Sequence, residues 1–390
     1  MSPEKCAALR DFYREQLLDD IIPFWMRHGL DREHGGFLHH LDRDGRVYST
    51  DKGVWIQARA VWMLSKLYNT VERNEDWLDA ARSGYEFLLR HCFDADGRMF
   101  FAVTREGRPL RKRRYLFSEA FTAIACSEYA RASGDPNALA KAHEVYHDMV
   151  QAYRTPGMLA PKTDPATRPM QSHAMPMILI ATTQELRISS SDPLYDEVIG
   201  QSLEAILHSF VHPDIPALLE NVGSRGERLD TPVGRLVNPG HAIESAWFLM
   251  HEGRHRGDKE LITRACDILD WSLELGWDYE YGGLFSFVDV EGLPCEQLEW
   301  DMKLWWPHTE ALYALLLALQ LTGDERYEDW YDRMHDYTFS HFPDSGRGEW
   351  FGYLHRDGSV ANTMKGGLWK GPFHIPRALW LMWRLLDEKP

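Results

Sequence analysis

At 390 residues, with 44% apolar and 26% charged residues, the chain can bury a large core, and its average globular composition excludes extended disorder. Fifty-nine acidic against 43 basic residues leave a net charge of −16, which repels nucleic-acid phosphates and anionic headgroups, so neither nucleic acid nor membrane is an expected partner. The five cysteines (Cys6, Cys92, Cys126, Cys266 and Cys295) are scattered and never at CxxC spacing, which points to a reducing, cytoplasmic setting without a disulfide framework.

The first stretch, MSPEKCAALRDFYREQ, reads as a mixed-charge amphipathic helix rather than a signal segment. From Asp31 a unit recurs: an acidic residue, glycines and aromatics, then an Asp-Gly or Glu-Gly turn. The copies are DREHGGFLHHLDRDGR from Asp31, DADGRMFFAVTREGR from Asp94, PALLENVGSRGER from Pro216, DYEYGGLFSFVDVEGL from Asp278 and DSGRGEWFGYLHRDGS from Asp344. Each predicts a short β-hairpin, because the glycine supplies a positive-φ turn position and the aromatic run a strand. Successive copies lie roughly 63 residues apart except for one double gap, where the degenerate segment RTPGMLAPKTDPATRP stands in for a sixth.

Between copies, apolar residues at helical spacing predict helix pairs, such as 53–72 with 76–91 and 305–322 with 324–342. About six units of hairpin plus helix pair fill the chain, and a helix pair cannot bury both faces alone. The expected fold is therefore all-α, a closed (α/α)6 barrel (toroid) with short β-hairpins in the inter-unit loops, forming one domain over residues 1–390. An open superhelix has the same period and is the competing architecture. The longest apolar run, 311–321, is too short to span a bilayer.

In a toroid the helix starts converge on a central pit. Three clusters stand there. In RLVNPGHAIESAWFLM, His241 and Glu244 are i and i+3 on a helix that begins at Asn238-Pro239-Gly240, so Glu244 is expected to hold one nitrogen of His241. KGGLWKGPFHIPRALW brings Trp369 and His374 along a glycine-rich approach to the last helix; GxxxxGK[ST] is absent, so a phosphate loop is not expected. CEQLEWDMKLWWPHTEALYALLLA crowds Glu299, Trp300, Asp301, Lys303, Trp305, Trp306, His308 and Glu310 into twelve residues, a polar density that core packing does not call for. Upstream, GVWIQARAVWML sets Trp55 and Arg59 on one helix face, Arg59 being a substrate anchor or a salt-bridge partner. Fifteen tryptophans, several beside carboxylates, suit sugar faces stacked on rings. The 18 histidines, His39-His40 apart, read as dispersed singletons without the HExxH motif or a comparable carboxylate-rich pattern, and no metal is expected.

NPGHAIE, QLEWDMKLWWPH, GEWFGYL and KGGLWKGPFHIPRAL, with DREHGGF and VWIQARAVWM upstream, resemble the N-acylglucosamine 2-epimerase (renin-binding protein) family nearly end to end. The resemblance implies an (α/α)6 barrel, commonly a homodimer, that interconverts N-acetylglucosamine and N-acetylmannosamine with no cofactor in the chemistry and ATP as an unconsumed activator. It also implies that His241 and His374 are the catalytic pair and that Arg59, Glu244, Trp306 and Trp369 contact substrate, with Glu310 and His173 as further candidates. His173, in MQSHAMPM, departs from the N-acyl pattern toward the related cellobiose 2-epimerases and mannose isomerases, whereas the KLWWPH and KGGLWKG blocks favour the N-acyl branch.

Epimerisation at carbon 2 of an open-chain aldose needs a base on one face and an acid on the other. Histidine, with an unperturbed pKa of about 6.5, serves both. The alternatives are epimerisation or isomerisation of unacylated mannose, glucose or cellobiose, a non-catalytic sugar- or protein-binding toroid, and a glycoside hydrolase drawing on Glu299, Asp301 and Glu310.

Overall fold

Two kinds of helix alternate along the chain, and burial separates them. The computed structural model describes residues 1–161 and 163–388. In it α1 (Pro3–Glu15) runs through a π-wound turn to α2 (Ile22–His28), followed by α3 (Val54–Thr70), α4 (Glu75–His91), α5 (Phe117–Ser133), α6 (Pro136–Arg154), α7 (Ala174–Arg187), α8 (Pro193–Ala205), α9 (Pro239–Arg256), α10 (Lys259–Gly276), α11 (Trp305–Thr322), α12 (Arg326–His341) and α13 (His374–Asp387). α3, α5, α9 and α11 are buried on nearly every side. A helix without a polar face must stand inside the molecule. α4, α6, α10 and α12 bury a single stripe and lie outside.

Capping follows the same division. The outer helices α4, α6, α8 and α10 start on Asn74, Asp135, Asp192 and Asp258, whose side chains accept from backbone N–H groups of the first turn. Of the inner helices only α9 has such a cap, from Asn238, while α3, α5, α7, α11 and α13 have none. Their first-turn N–H groups, at the positive end of the helix dipole, are left toward the barrel's hairpin-bearing end.

Three of the predicted hairpins close on themselves: 40–41 with 47–49, 102–103 with 109–111, and 353–354 with 360–362. Gly45 and Gly358 turn the first and last at φ 81° and 84°. The copies at Pro216 and Asp278 do not: Asn221–Gly223 pairs with Met170–Ser172, and Val288–Asp289 with Leu236–Val237. What all these copies share lies between units. The short strand before an inner helix pairs with a strand of the following unit, as Lys52–Gly53 does with Ala102–Val103 and Lys303–Leu304 with Tyr353–Leu354, and this pairing outlasts the hairpin. Segment 154–169, the degenerate copy, has no strand among its described residues.

Buried ions staple the same junctions. Asp31 takes Lys52 at 2.9 Å and Arg105 of the next unit; Asp278 takes Lys303 at 3.0 Å and Arg356 of the next unit. The third set decides between ring and superhelix. Asp344, in the last hairpin, takes Lys365 at 3.0 Å and Arg43 of the first hairpin through two bonds of 2.8 Å. α13 packs against both α11 and α1, and Trp380 donates to Thr70 on α3 at 3.0 Å. The toroid is closed.

Candidate active site

A cavity of about 1310 Å³ occupies the barrel axis. Arg59, His241, Glu244, Trp306, Trp369 and His374, each singled out by sequence, line it; Glu310 and His173 do not.

His241 sits one turn into α9, its backbone N–H on the Asn238 cap. Its Nδ1 lies 2.9 Å from Glu220 Oε1. This corrects the expected partner: Glu244 pairs across to α13 with Arg377, whose Nη2 donates to it at 2.8 Å. Glu220 comes from the neighbouring strand region, where Leu219 and Glu220 bond back to Phe210 and Leu236, so the loop delivers a carboxylate across the helix start. Burial pushes the Glu220 carboxyl up, but His241 and His173 outweigh it and hold the group well below the usual carboxylate range.

His374 opens α13. Its Nδ1 lies 2.8 Å from Glu310 Oε1, which also accepts from Arg377 at 2.6 Å, while Glu310 Oε2 accepts from Trp247 at 3.0 Å. Glu310, expected at the substrate, is here bonded to His374, Arg377 and Trp247 and is not among the residues lining the cavity. Burial holds His374 well below the ordinary histidine value, Glu244 opposing and Arg59 and Arg377 adding to the effect. The Trp306 ring packs against both histidines, its centroid 5.2 Å from His241 and 5.7 Å from His374.

His173 lies behind the wall. It is fully buried, bonds Ser245 Oγ at 2.8 Å through Nε2, and sets Nδ1 3.8 Å from Glu220 Oε1. Its route to the chemistry runs through Glu220. Arg59 has no ion pair among the described residues; its guanidinium lies 4.0 to 4.7 Å from the Trp55, Phe121 and Phe373 rings, and Nε lacks a hydrogen-bond partner. Burial and the nearby Arg377 lower its pKa to about 9. Trp369, 40% exposed, stands at the mouth edge-on to Trp55.

The polar crowd at 299–310 divides. Lys303 belongs to the Asp278 staple, and His308 bonds Leu284 N–H and Leu304 C=O in the core. Lys365 and Lys370 pair with Asp344 and Glu349, so the lysines of the KGGLWKG block and its neighbour are structural. Gly366 is there for close approach, since a Cβ would meet the His39 carbonyl oxygen at 2.2 Å. Of the carboxylates that a hydrolase would draw on, Glu310 is bonded to His374 and Arg377 and Glu299 lines the cavity. Glu244, Glu310 and His374 bring ligand atoms within 4.8 Å of one another, a spacing that could hold a cation, and Arg377 bridges the two carboxylates.

The sequence profile described as N-acylglucosamine 2-epimerase (GlcNAc 2-epimerase) matches residues 35–378. The chain belongs to the N-acylglucosamine 2-epimerase family. It is 41% identical to the N-acylglucosamine 2-epimerase of Mus musculus over 376 residues, covering 94% of this chain and 89% of that one. A cellobiose 2-epimerase of Bacteroides fragilis is 24% identical, covering 95% and 97%. In fold the family member superposes on the cellobiose 2-epimerase of Bacillus thermoamylovorans with a TM-score of 0.85 at 21% identity, covering 97% and 99% of the two chains. Membership makes it a carbohydrate epimerase, an enzyme of the isomerase class, and no helix among its described residues is long and apolar enough to cross a membrane.

Proposed function

We propose that this chain interconverts N-acetylglucosamine and N-acetylmannosamine by passing the carbon 2 proton between His241 and His374. One observation carries the reading: two histidines, both packed against the Trp306 ring and each with Nδ1 held by a buried carboxylate, line one cavity. A carboxylate only accepts, so Nδ1 keeps its proton and Nε2 is left to exchange a proton with the substrate. In one direction His374, neutral in its buried setting, takes the carbon 2 proton on Nε2, while His241 enters as the imidazolium beside Glu220 and gives its Nε2 proton to the other face, so the two histidines end with their protonation states exchanged. The enediolate oxygen at carbon 1 is stabilised by Arg59, a cation with an unused donor and little water around it. With an acetamido group at carbon 2, protonation at carbon 1 gives no stable ketose, so epimerisation is the outcome.

The 41% identity to an N-acylglucosamine 2-epimerase supports the acylated substrate over the unacylated sugars of more distant relatives. The proposal includes ATP as an unconsumed activator, a homodimer and a cytoplasmic location, supported by the family resemblance and the free cysteines. The test is incubation in deuterium oxide with N-acetylmannosamine, N-acetylglucosamine, mannose, glucose and cellobiose, with and without ATP, followed at carbon 2 by NMR. Deuterium should enter both N-acetyl sugars. Exchange confined to unacylated sugars would move the substrate, and no exchange at all would remove the epimerase reading.

A further inference from the structure

The dispersed reading of the histidines is wrong at one place. Residues 143–147 read His-Glu-Val-Tyr-His, two histidines one turn apart on the outer helix α6. Their rings lie nearly parallel, 14° apart in plane with centroids separated by 6.5 Å. The loop into α8 brings a third group: Asp192 Oδ2 lies 2.8 Å from His147 Nε2, and His143 Nε2 lies 3.0 Å from Ser190 Oγ. The ligating atoms of His143, His147 and Asp192 all fall within 4.8 Å of one another.

We propose that His143, His147 and Asp192 form an outer-surface site for one divalent transition cation of the zinc class. The donors decide the class: two imidazoles and one carboxylate suit zinc, cobalt(II) or nickel(II), whereas magnesium and calcium take oxygen cages. Zinc donors lie about 2.0–2.1 Å from the ion, so its ligands are at most about 4.2 Å apart, within small side-chain rotations of the spacing present. The carboxylate is already oriented. Asp192 caps α8, with Oδ1 accepting from Leu194 N–H at 2.9 Å, which leaves Oδ2 turned to the histidines. None of the three residues lines the axial cavity. Glu144, the second residue of the motif, pairs with Lys141 at 2.6 Å, so the site is a clamp between α6 and the start of α8 rather than a hydrolytic centre.

The experiment uses the full chain, stripped with chelator, titrated with cobalt(II) by visible absorption and with zinc by calorimetry, and melted with and without zinc. Wild type should bind one equivalent saturably and melt higher with zinc. His147→Gln and Asp192→Asn should each weaken that equivalent by about tenfold or more, with metal-free melting and epimerase turnover unchanged, while Glu310→Gln should leave it intact. Three results would overturn the site: no saturable binding, binding indifferent to both surface variants, or binding lost in Glu310→Gln. The last would place the ion in the axial cavity.

Discussion

Glu220 is the residue whose role most needed the structure. It holds His241 as Glu310 holds His374, and each carboxylate fixes a tautomer. Glu220→Gln is expected to lower kcat on the order of 10²-fold with little change in KM, because binding persists while the proton-carrying geometry is lost; a change confined to KM would make Glu220 a substrate contact. His241→Ala and His374→Ala should each lose at least about 10²-fold in deuterium exchange at carbon 2. His374 also sets a pH expectation. A base works while unprotonated, and burial holds this one below its ordinary 6.5, so activity in the direction it initiates should persist below pH 6.5 and fall only at more acid pH. A kcat/KM profile with its acid limb centred above 6.5 would contradict that. His241 and His374 were legible because each follows a chain break at a helix start. Glu220 was not, since ALLENVG looks like any strand and nothing local says which helix start it reaches.

At the scale of elements, the staples at unit junctions carry their own prediction. Lys303 and Asp278 are both almost wholly buried, and burial lowers the lysine to about 8 with Asp278 opposing. Asp278→Asn leaves the buried Lys303 without its counter-charge, while Arg356 keeps Glu280, and should destabilise the fold by about 3–5 kcal/mol, read as a shift in denaturation midpoint. A loss under about 1 kcal/mol would mark the staple as a surface-type pair. The helices were legible to within a few residues, α11 to the residue, because an all-apolar inner helix and a striped outer one differ in pattern. The hairpins at Pro216 and Asp278 were not: their strands keep the pairing between units and lack the second, self-closing partner.

At the scale of the molecule, the core contains histidines that must charge when the chain unfolds in acid. Burial lowers His39 and His308 to about 3 each from 6.5. Between those values the unfolded chain binds more protons than the folded one, so stability is intact above pH 6.5 and is lost as pH falls below it. Each histidine contributes a slope of about 1.4 kcal/mol per pH unit. Chemical denaturation between pH 7.5 and 5 should show stability declining with acid; a flat profile would mean these rings are protonated in the fold.

The sequence alone determined the repeating unit and the helix pairs, because periodicity is local in the chain, and it put His241 and His374 at helix starts, while their pairing as acid and base rests on the family resemblance. Only the tertiary structure decided that the ring closes through Arg43 and Asp344, that Glu220 rather than Glu244 serves His241, and that Glu310 and His173 stand behind the wall. Those partners lie on different elements, 301 residues apart for Arg43 and Asp344 and 64 for His374 and Glu310. Such separations follow from how helices stack around the axis, which no local pattern encodes.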